Sequence, residues 1–263
     1  MRSSQLFRTV VRFASAAGLL SCCALVSCQK TDEKPEPNEL EGVYIAGTLG
    51  GSIAVVWENG RLKELTDGSE NAAARAVSVD GNNVWVAGSE FNSGLRRWEA
   101  KVWKNGVPQM QEAGATEHAL AVSLAVSGGD VYAAGQIYQQ LPGLLRTMAV
   151  VWKNGELTRL TDGSTEAEAS AVAVSGSDVY VAGSCGWYEG EKGDHAVLWK
   201  NGGIGLLPGT RQPSTCAVVV SNGHVYVAGQ YELLEAGVWK DGKAIRLPAW
   251  EGYSSAVYGI FVK

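Results

Sequence analysis

An all-β fold made of repeated four-stranded blades is predicted by three observations. The first is a Trp, then a polar residue, then Asn-Gly or Asp-Gly, written five times: Trp57-Glu58-Asn59-Gly60, Trp103-Lys104-Asn105-Gly106, Trp152-Lys153-Asn154-Gly155, Trp199-Lys200-Asn201-Gly202 and Trp239-Lys240-Asp241-Gly242. The steps between the Trp residues are 46, 49, 47 and 40, a period that belongs to blades of short strands arranged in a circle. The second is the strand pattern inside each copy, which is short β-branched runs broken by turn residues. The third concerns the ends. Val43 opens a second strand with no first strand before it, and Ser255 to Lys263 reads as a first strand with nothing after it. Joining the two completes a fifth blade and removes two unpaired edges. The expected architecture is a five-bladed β-propeller, four antiparallel strands per blade, closed by the C-terminal strand.

Residues 1–27 are expected to be a leader. Arg2, Arg8 and Arg12 form a positive start, and the apolar stretch from Phe13 to Val26 is too short to span a membrane. Its end, Leu25-Val26-Ser27-Cys28, resembles the lipobox of bacterial lipoproteins. That resemblance implies acylation of Cys28, a membrane partner through the N-terminal lipid, and, with Gln29 rather than Asp following, an outer-membrane location. Residues 28–42, rich in Glu, Pro, Asn and Asp, are expected to be a disordered spacer, and Lys30 to Lys34 is similar to the tethers of surface-exported lipoproteins. Residues 43–263 are the propeller. Loss of the leader removes three Arg and no acid, taking the net charge from −5 to −8, and this argues against a nucleic-acid partner.

The fourth copy shows the blade most plainly. Ser170 to Val174 is a narrow first strand, Ser175 to Asp178 a turn, and Val179 to Gly183 the second strand. A variable loop leads to His195 to Trp199, then Lys200-Asn201-Gly202, then a last strand near Ile204 to Leu207. Asn-Gly favours a tight hairpin because both residues tolerate φ > 0. The second strand repeats an aromatic at Tyr44, Trp85, Tyr132, Tyr180 and Tyr226. A residue present in every copy is expected to pack between blades, as is the third-strand Trp. In layout these copies resemble WD40 and related propeller repeats, although Glu58 or a Lys stands where the Trp-Asp dipeptide would have its Asp.

The two tight turns of each blade fall on one rim, and the variable connections fall on the other. Binding residues concentrate on variable loops held by a rigid frame. The candidates there are Phe91, Trp98, Tyr138, Trp187, Tyr188, Tyr231, Trp250 and Tyr253, with acids, amides and Arg beside them. Aromatic planes with hydrogen-bonding neighbours suit a sugar ring, and they equally suit a protein partner. Loop aromatics that fold back as cover form the remaining reading. The expected function is therefore a lipid-anchored envelope binding protein whose partner is a glycan or an envelope protein. A carbohydrate-binding surface lipoprotein is the alternative, similar in blade number to tachylectin-type lectins but without their motif.

Catalysis is expected to be absent. There is no Gly-x-Ser-x-Gly elbow and no Walker loop. His118, His195 and His224 are scattered over three copies, so no metal and no cofactor is expected. A glycoside hydrolase is the further alternative, and it needs two carboxylates roughly 5–9.5 Å apart. Cys185 and Cys216 are the Cys left in the folded part, in an oxidising compartment. Both fall on the variable rim, where either a disulfide or two free thiols fits.

Overall fold

The computed structural model describes residues 40–109, 117–141, 144–188, 191–209, 214–232, 235–248 and 255–263. They belong to the compact unit Pro35–Lys263. The leader, Cys28 and most of the spacer lie outside the described residues.

Every regular element described is a strand, and all pairs are antiparallel. The first sheet has three strands, β1 (Tyr44–Leu49), β2 (Ile53–Glu58) and β3 (Arg61–Glu64). The second has four, β4 (Ala72–Asp80), β5 (Asn83–Asn92), β6 (Arg97–Lys104) and β7 (Val107–Gln109). The third is β8 (His118–Ser127), β9 (Asp130–Leu141), β10 (Leu144–Lys153) and β11 (Glu156–Arg159). The fourth is β12 (Ala167–Ser175), β13 (Asp178–Tyr188), β14 (Glu191–Lys200) and β15 (Gly203–Leu206). The fifth is β16 (Ser214–Ser221), β17 (His224–Glu232), β18 (Glu235–Lys240) and β19 (Lys243–Arg246). Each sheet packs on the next, and β1, β4, β8, β12 and β16 lie side by side in that order. The arrangement is compatible with a propeller-like repeat.

The Asn-Gly turns do more than reverse the chain. Asn59, Asn105, Asn154, Asn201 and Asp241 all have φ between 49° and 52°, and the Gly after each is also positive, as a two-residue hairpin of this hand requires. In the third sheet the Asn154 N–H donates to Val131 O at 2.8 Å, and Asn154 Oδ1 accepts the Val131 N–H at 2.9 Å. The same reciprocal pair joins Asn105 to Val84, Asn201 to Val179 and Asp241 to Val225. The turn side chain thus ties the third-strand hairpin to the start of the second strand. Asn154→Ala loses this bond and strains the backbone, so it is expected to cost about 2 kcal/mol. Asn154→Gly keeps the conformation and should cost about 1 kcal/mol, a difference readable by urea denaturation.

The third-strand Trp packs as expected. Trp103, Trp152, Trp199 and Trp239 are 0–1% exposed, and each lies in a cluster with small residues of the preceding sheet. Trp152, for example, sits with Ala87, Ala100 and Val102. The second-strand aromatics pack the other way. Trp85 lies against the cluster of the third sheet and Tyr132 within that of the fourth. A Lys from the paired third strand caps each ring outside: Lys104 over Trp85 at 4.9 Å, Lys153 over Tyr132 and Lys200 over Tyr180 at 5.4 Å, and Lys240 over Tyr226 at 5.5 Å. Lys153 and Lys200 also bond Asp130 and Asp178, and these hydrogen bonds hold both carboxyls below the ordinary range.

Each first strand of the four-stranded sheets carries a bulge at one place, where Arg75, Val122, Ser170 or Cys216 is the extra residue. The bulge swings a carbonyl across the neighbouring strand. A Cβ on Gly88, Gly135 or Gly183 would overlap the carbonyl oxygen of Ala73, Leu120 or Glu168. This explains the Gly that ends the second-strand run in these sheets.

Closure departs from expectation. Residues 255–263 form no strand, and Val257 and Ile260 do not pair beside Val43 and Ile45. Ser255 Oγ accepts the Ala236 N–H at 2.8 Å, which tethers the start of the tail to the fifth sheet, and Tyr258 and Phe261 are 92% and 83% exposed. Among the described residues, the edge of β1 away from β2 has no partner strand, and no strand of the fifth sheet packs extensively on the first. The first blade therefore has three strands here rather than four.

Candidate functional site

The variable rim is built from the long ends of the second and third strands. In the second sheet, β5 and β6 run past the core to place Phe91 opposite Trp98. Their rings meet edge to face, with centroids 5.6 Å apart at 66°. Alternation puts this pair on the same side of the strands as Ala87, Ala100 and Val102, which is the side packed on the third sheet. The Trp98 N–H then donates to His118 Nδ1 at 3.2 Å. That bond leaves Nδ1 unprotonated and puts the ring proton of neutral His118 on Nε2, where it can be donated.

His118 opens β8 and pairs in register with Tyr138 of β9. Tyr138 Oη accepts a hydrogen bond from Gln136 Nε2 at 2.6 Å, so the phenol keeps its own proton to give. Burial pushes the Tyr138 phenol up. The Gln136 bond and the Arg75 charge oppose that shift, and the Glu168 carboxylate adds to it. Arg75 is the bulge residue of β4, and Glu168 lies on β12 two residues before the bulge there. Both are exposed. Sequence reading missed His118 as a partner of Trp98 because their approach depends on which strands lie together.

On the other side of the second sheet, Lys101 bridges Glu90 at 3.4 Å and Glu99 at 3.2 Å, and Arg97 reaches Glu99 at 3.3 Å. Burial alone would raise the Glu99 carboxyl. Bonds from Lys101, Asn92 and Arg97, with the Lys101 charge, outweigh it and hold the group below its ordinary value.

The other candidates divide. Tyr231 is cover: its ring lies 6.2 Å from that of Trp239, with Arg246 5.5 Å above it. Trp187 and Tyr188 are on the end of β13, and their side chains lie outside the described residues, as do Trp250 and Tyr253 entirely. Cys185 and Cys216 are free thiols, so the disulfide left open by the sequence is not formed. Cys185 is buried in the cluster between the third and fourth sheets, whereas Cys216 donates from Sγ to Ala228 O at 3.3 Å within the fifth. The fourth sheet stands between the two environments. Burial raises the Cys216 thiol.

Among the described residues no group of three or more His, Cys, Asp or Glu could hold a metal ion, and no helix is long and apolar enough to cross a membrane. A shallow cavity between the second and third sheets, lined by Trp85, Val102, Gln109, Val131 and Asn154, is at the opposite rim.

No family model matches the chain, and no curated protein matches it. Among matching solved structures is an acylaminoacyl peptidase from Pyrococcus horikoshii, 11% identical, with a TM-score of 0.44. The match covers 78% of this chain and 37% of that one, so the chain spans little more than a third of its length. The expectation that the chain is not an enzyme is corrected here, because a structure it aligns with is that of a peptidase, and the exclusion is withdrawn. A likeness of this depth carries no activity or site residue to the chain.

Proposed function

We propose that this chain is a lipid-anchored binding protein of the cell envelope that engages its partner through the variable rim. The observation that carries this reading is the partly exposed Phe91–Trp98 pair, whose Trp98 backbone is bonded to His118, an aromatic and polar group at the rim where the second and third sheets meet. Aromatic rings held at fixed angles with donors beside them are the makings of a recognition surface. Acylation at Cys28, the spacer and an outer-membrane location belong to the same reading and rest on the leader sequence. The partner is an envelope protein or a glycan, and the mixture of ring faces and hydrogen-bonding groups favours the glycan. The test is binding of the full-length lipoprotein in detergent to glycan arrays and to purified envelope proteins. Wild-type binding that falls tenfold or more, about 1.4 kcal/mol, in Trp98→Ala is expected. Binding that Trp98→Ala leaves untouched removes the rim from the function.

We further propose that the five sheets form a closed ring, with the C-terminal segment as the missing fourth strand on β1. Three features support it. Trp57 is only half-buried, whereas its four counterparts are 0–1% exposed. Gly47 stands where Gly88, Gly135 and Gly183 clear the carbonyl of a first strand. Ile45 and Leu247, on the first sheet and just beyond the last, are 52% and 39% exposed.

A further inference from the structure

We infer that the cavity between the second and third sheets is a binding site for a small monocarboxylic acid, with Lys104 taking the carboxylate and Trp85 lying beside the apolar body. The site is at the turn rim and is independent of the variable-rim reading above. Its walls belong to one interface. Trp85 pairs with Lys104 across β5 and β6, and Val102 pairs with Gln109 across β6 and β7. Val102 and Lys104 are two residues apart, so alternation puts all four side chains on one face of the sheet. That face packs on the third sheet, because Val102 and Trp85 lie in one cluster with Val131 and Ala133. Trp85, Val102 and Gln109 on one side and Val131, Asn154 and Gly155 on the other border a space of about 140 Å³. A cavity of this size takes up a molecule like benzene. Lys104 Nζ lies 4.9 Å from the centroid of the Trp85 ring, so a cation stands beside a wall of the cavity.

The preceding interface shows what fills this place elsewhere. Tyr44 pairs there with Glu58 and Val56 with Lys63, the same four positions one sheet earlier. Lys63 Nζ lies 3.7 Å from Glu58 and donates to Asn105 O at 2.8 Å, and its stem is 2.6 Å from where a Cβ on Gly106 would be. The chain thus fills its first gap with its own cation and balances that cation with its own acid. Both residues change in the second sheet. Lys104 stands in place of Glu58, and Gln109 stands in place of Lys63 but folds back to donate from Nε2 to Val107 O at 3.0 Å. The space beside Asn154 and Gly155 stays open, and the charge at its edge is reversed. Lys104 also lacks the acid that its counterparts have. Asp130 and Asp178 hold Lys153 and Lys200 at 2.8 and 2.7 Å, whereas the equivalent residue here is Asn83, which accepts from Asn105 Nδ2. Asp130 reaches Asn154 as well, but Lys153 neutralises it. One cation without a carboxylate partner among the described residues, next to apolar and aromatic walls, selects a carboxylate on a compact hydrocarbon body.

The test uses the full-length protein in a neutral detergent, with the tryptophan indoles isotopically labelled. It is titrated with benzoate, benzamide and benzylamine and followed by NMR at the Trp85 indole, assigned through Trp85→Phe. Benzoate is expected to move this resonance saturably and to bind about tenfold or more tighter than benzamide, with benzylamine weakest. Lys104→Gln should weaken benzoate by about the same factor, and Lys200→Gln, whose lysine is already paired, should leave it unchanged. Lys104→Glu combined with Gln109→Lys rebuilds the pair of the first interface and should lose benzoate while the other indole resonances stay in place. No saturable shift with benzoate overturns the site. Benzamide or benzylamine binding as tightly as benzoate overturns the ligand class. Benzoate binding that survives Lys104→Gln or the double variant places the acid elsewhere and overturns the assignment. The comparison of the three probes needs no variant, so the proposal can fail even if a variant does not fold.

Discussion

Trp152→Ala is expected to cost about 3–5 kcal/mol and to shift the urea midpoint accordingly. The indole is 0% exposed and is sandwiched between its own strand and a floor of Ala87, Ala100 and Val102 from the sheet before. Small residues make that floor so that a large ring can lie on it, and for the same reason they cannot expand to fill the space when the ring is removed. Relaxation would have to come from the second and third sheets moving together. The Phe91–Trp98 pair and the bond from Trp98 to His118 oppose this at one rim. The cavity should therefore persist, which places the cost near the upper part of the range for large-to-small changes. A loss no greater than about 1 kcal/mol would mean that the sheets are not joined by this ring, and it would remove the packing argument for all four buried Trp residues.

The blades were legible because two short-range signals coincide. Asn-Gly or Asp-Gly fixes a hairpin, and the Trp three residues before the Gly marks the strand that packs across to the next sheet. Both are local, so both can be read without knowing the neighbours. The hairpin between the third and fourth strands followed from them in every copy, but the second and third strands run further toward the rim than the sequence reading placed them, β13 to Tyr188 and β14 from Glu191, and the tail expected as a strand forms none. What could not be read depends on register. The bulges at Arg75, Val122, Ser170 and Cys216 leave no mark in the hydrophobic pattern, and they decide which carbonyl lies over which Gly. Tyr231 has the composition of a rim aromatic, but it folds down over Trp239 because Gly237 leaves room on the facing strand. Cys185 and Cys216 share a rim in sequence order, yet alternation sends the first toward the third sheet and leaves the second on its own strand pair. The tail illustrates the same limit from the other side. Alternating residues from 255 onward say that a segment can pair, not which edge it meets, and the bond from Ala236 to Ser255 Oγ competes for its start.

Gly47→Ala is the substitution that decides whether the ring closes, when it is read against Gly135→Ala. At Gly135 a methyl group would overlap the Leu120 carbonyl, which is backbone and cannot rotate aside, so the first strand must be displaced. The expected loss is roughly 3 kcal/mol, the upper end for overpacking, and it should be accompanied by broadened unfolding as the bulged pairing fails. At Gly47 a methyl group would meet only the far edge of the Trp57 ring, at 2.9 Å, and with no strand on the other edge of β1 that half-buried ring can swing outward. An open first sheet therefore predicts a loss below about 1 kcal/mol for Gly47→Ala. If the C-terminal segment lies on β1 with the bulge seen in the other sheets, a carbonyl returns to that space and Trp57 is trapped beneath a neighbouring sheet. Gly47→Ala must then cost as much as Gly135→Ala, and deletion of residues 257–263 must abolish the difference in stability that Gly47→Ala makes. Equal, small losses in the full-length and truncated chains would leave the tail unpaired and the first sheet three-stranded in solution. A large loss confined to the full-length chain identifies the tail as the strand that Gly47 accommodates.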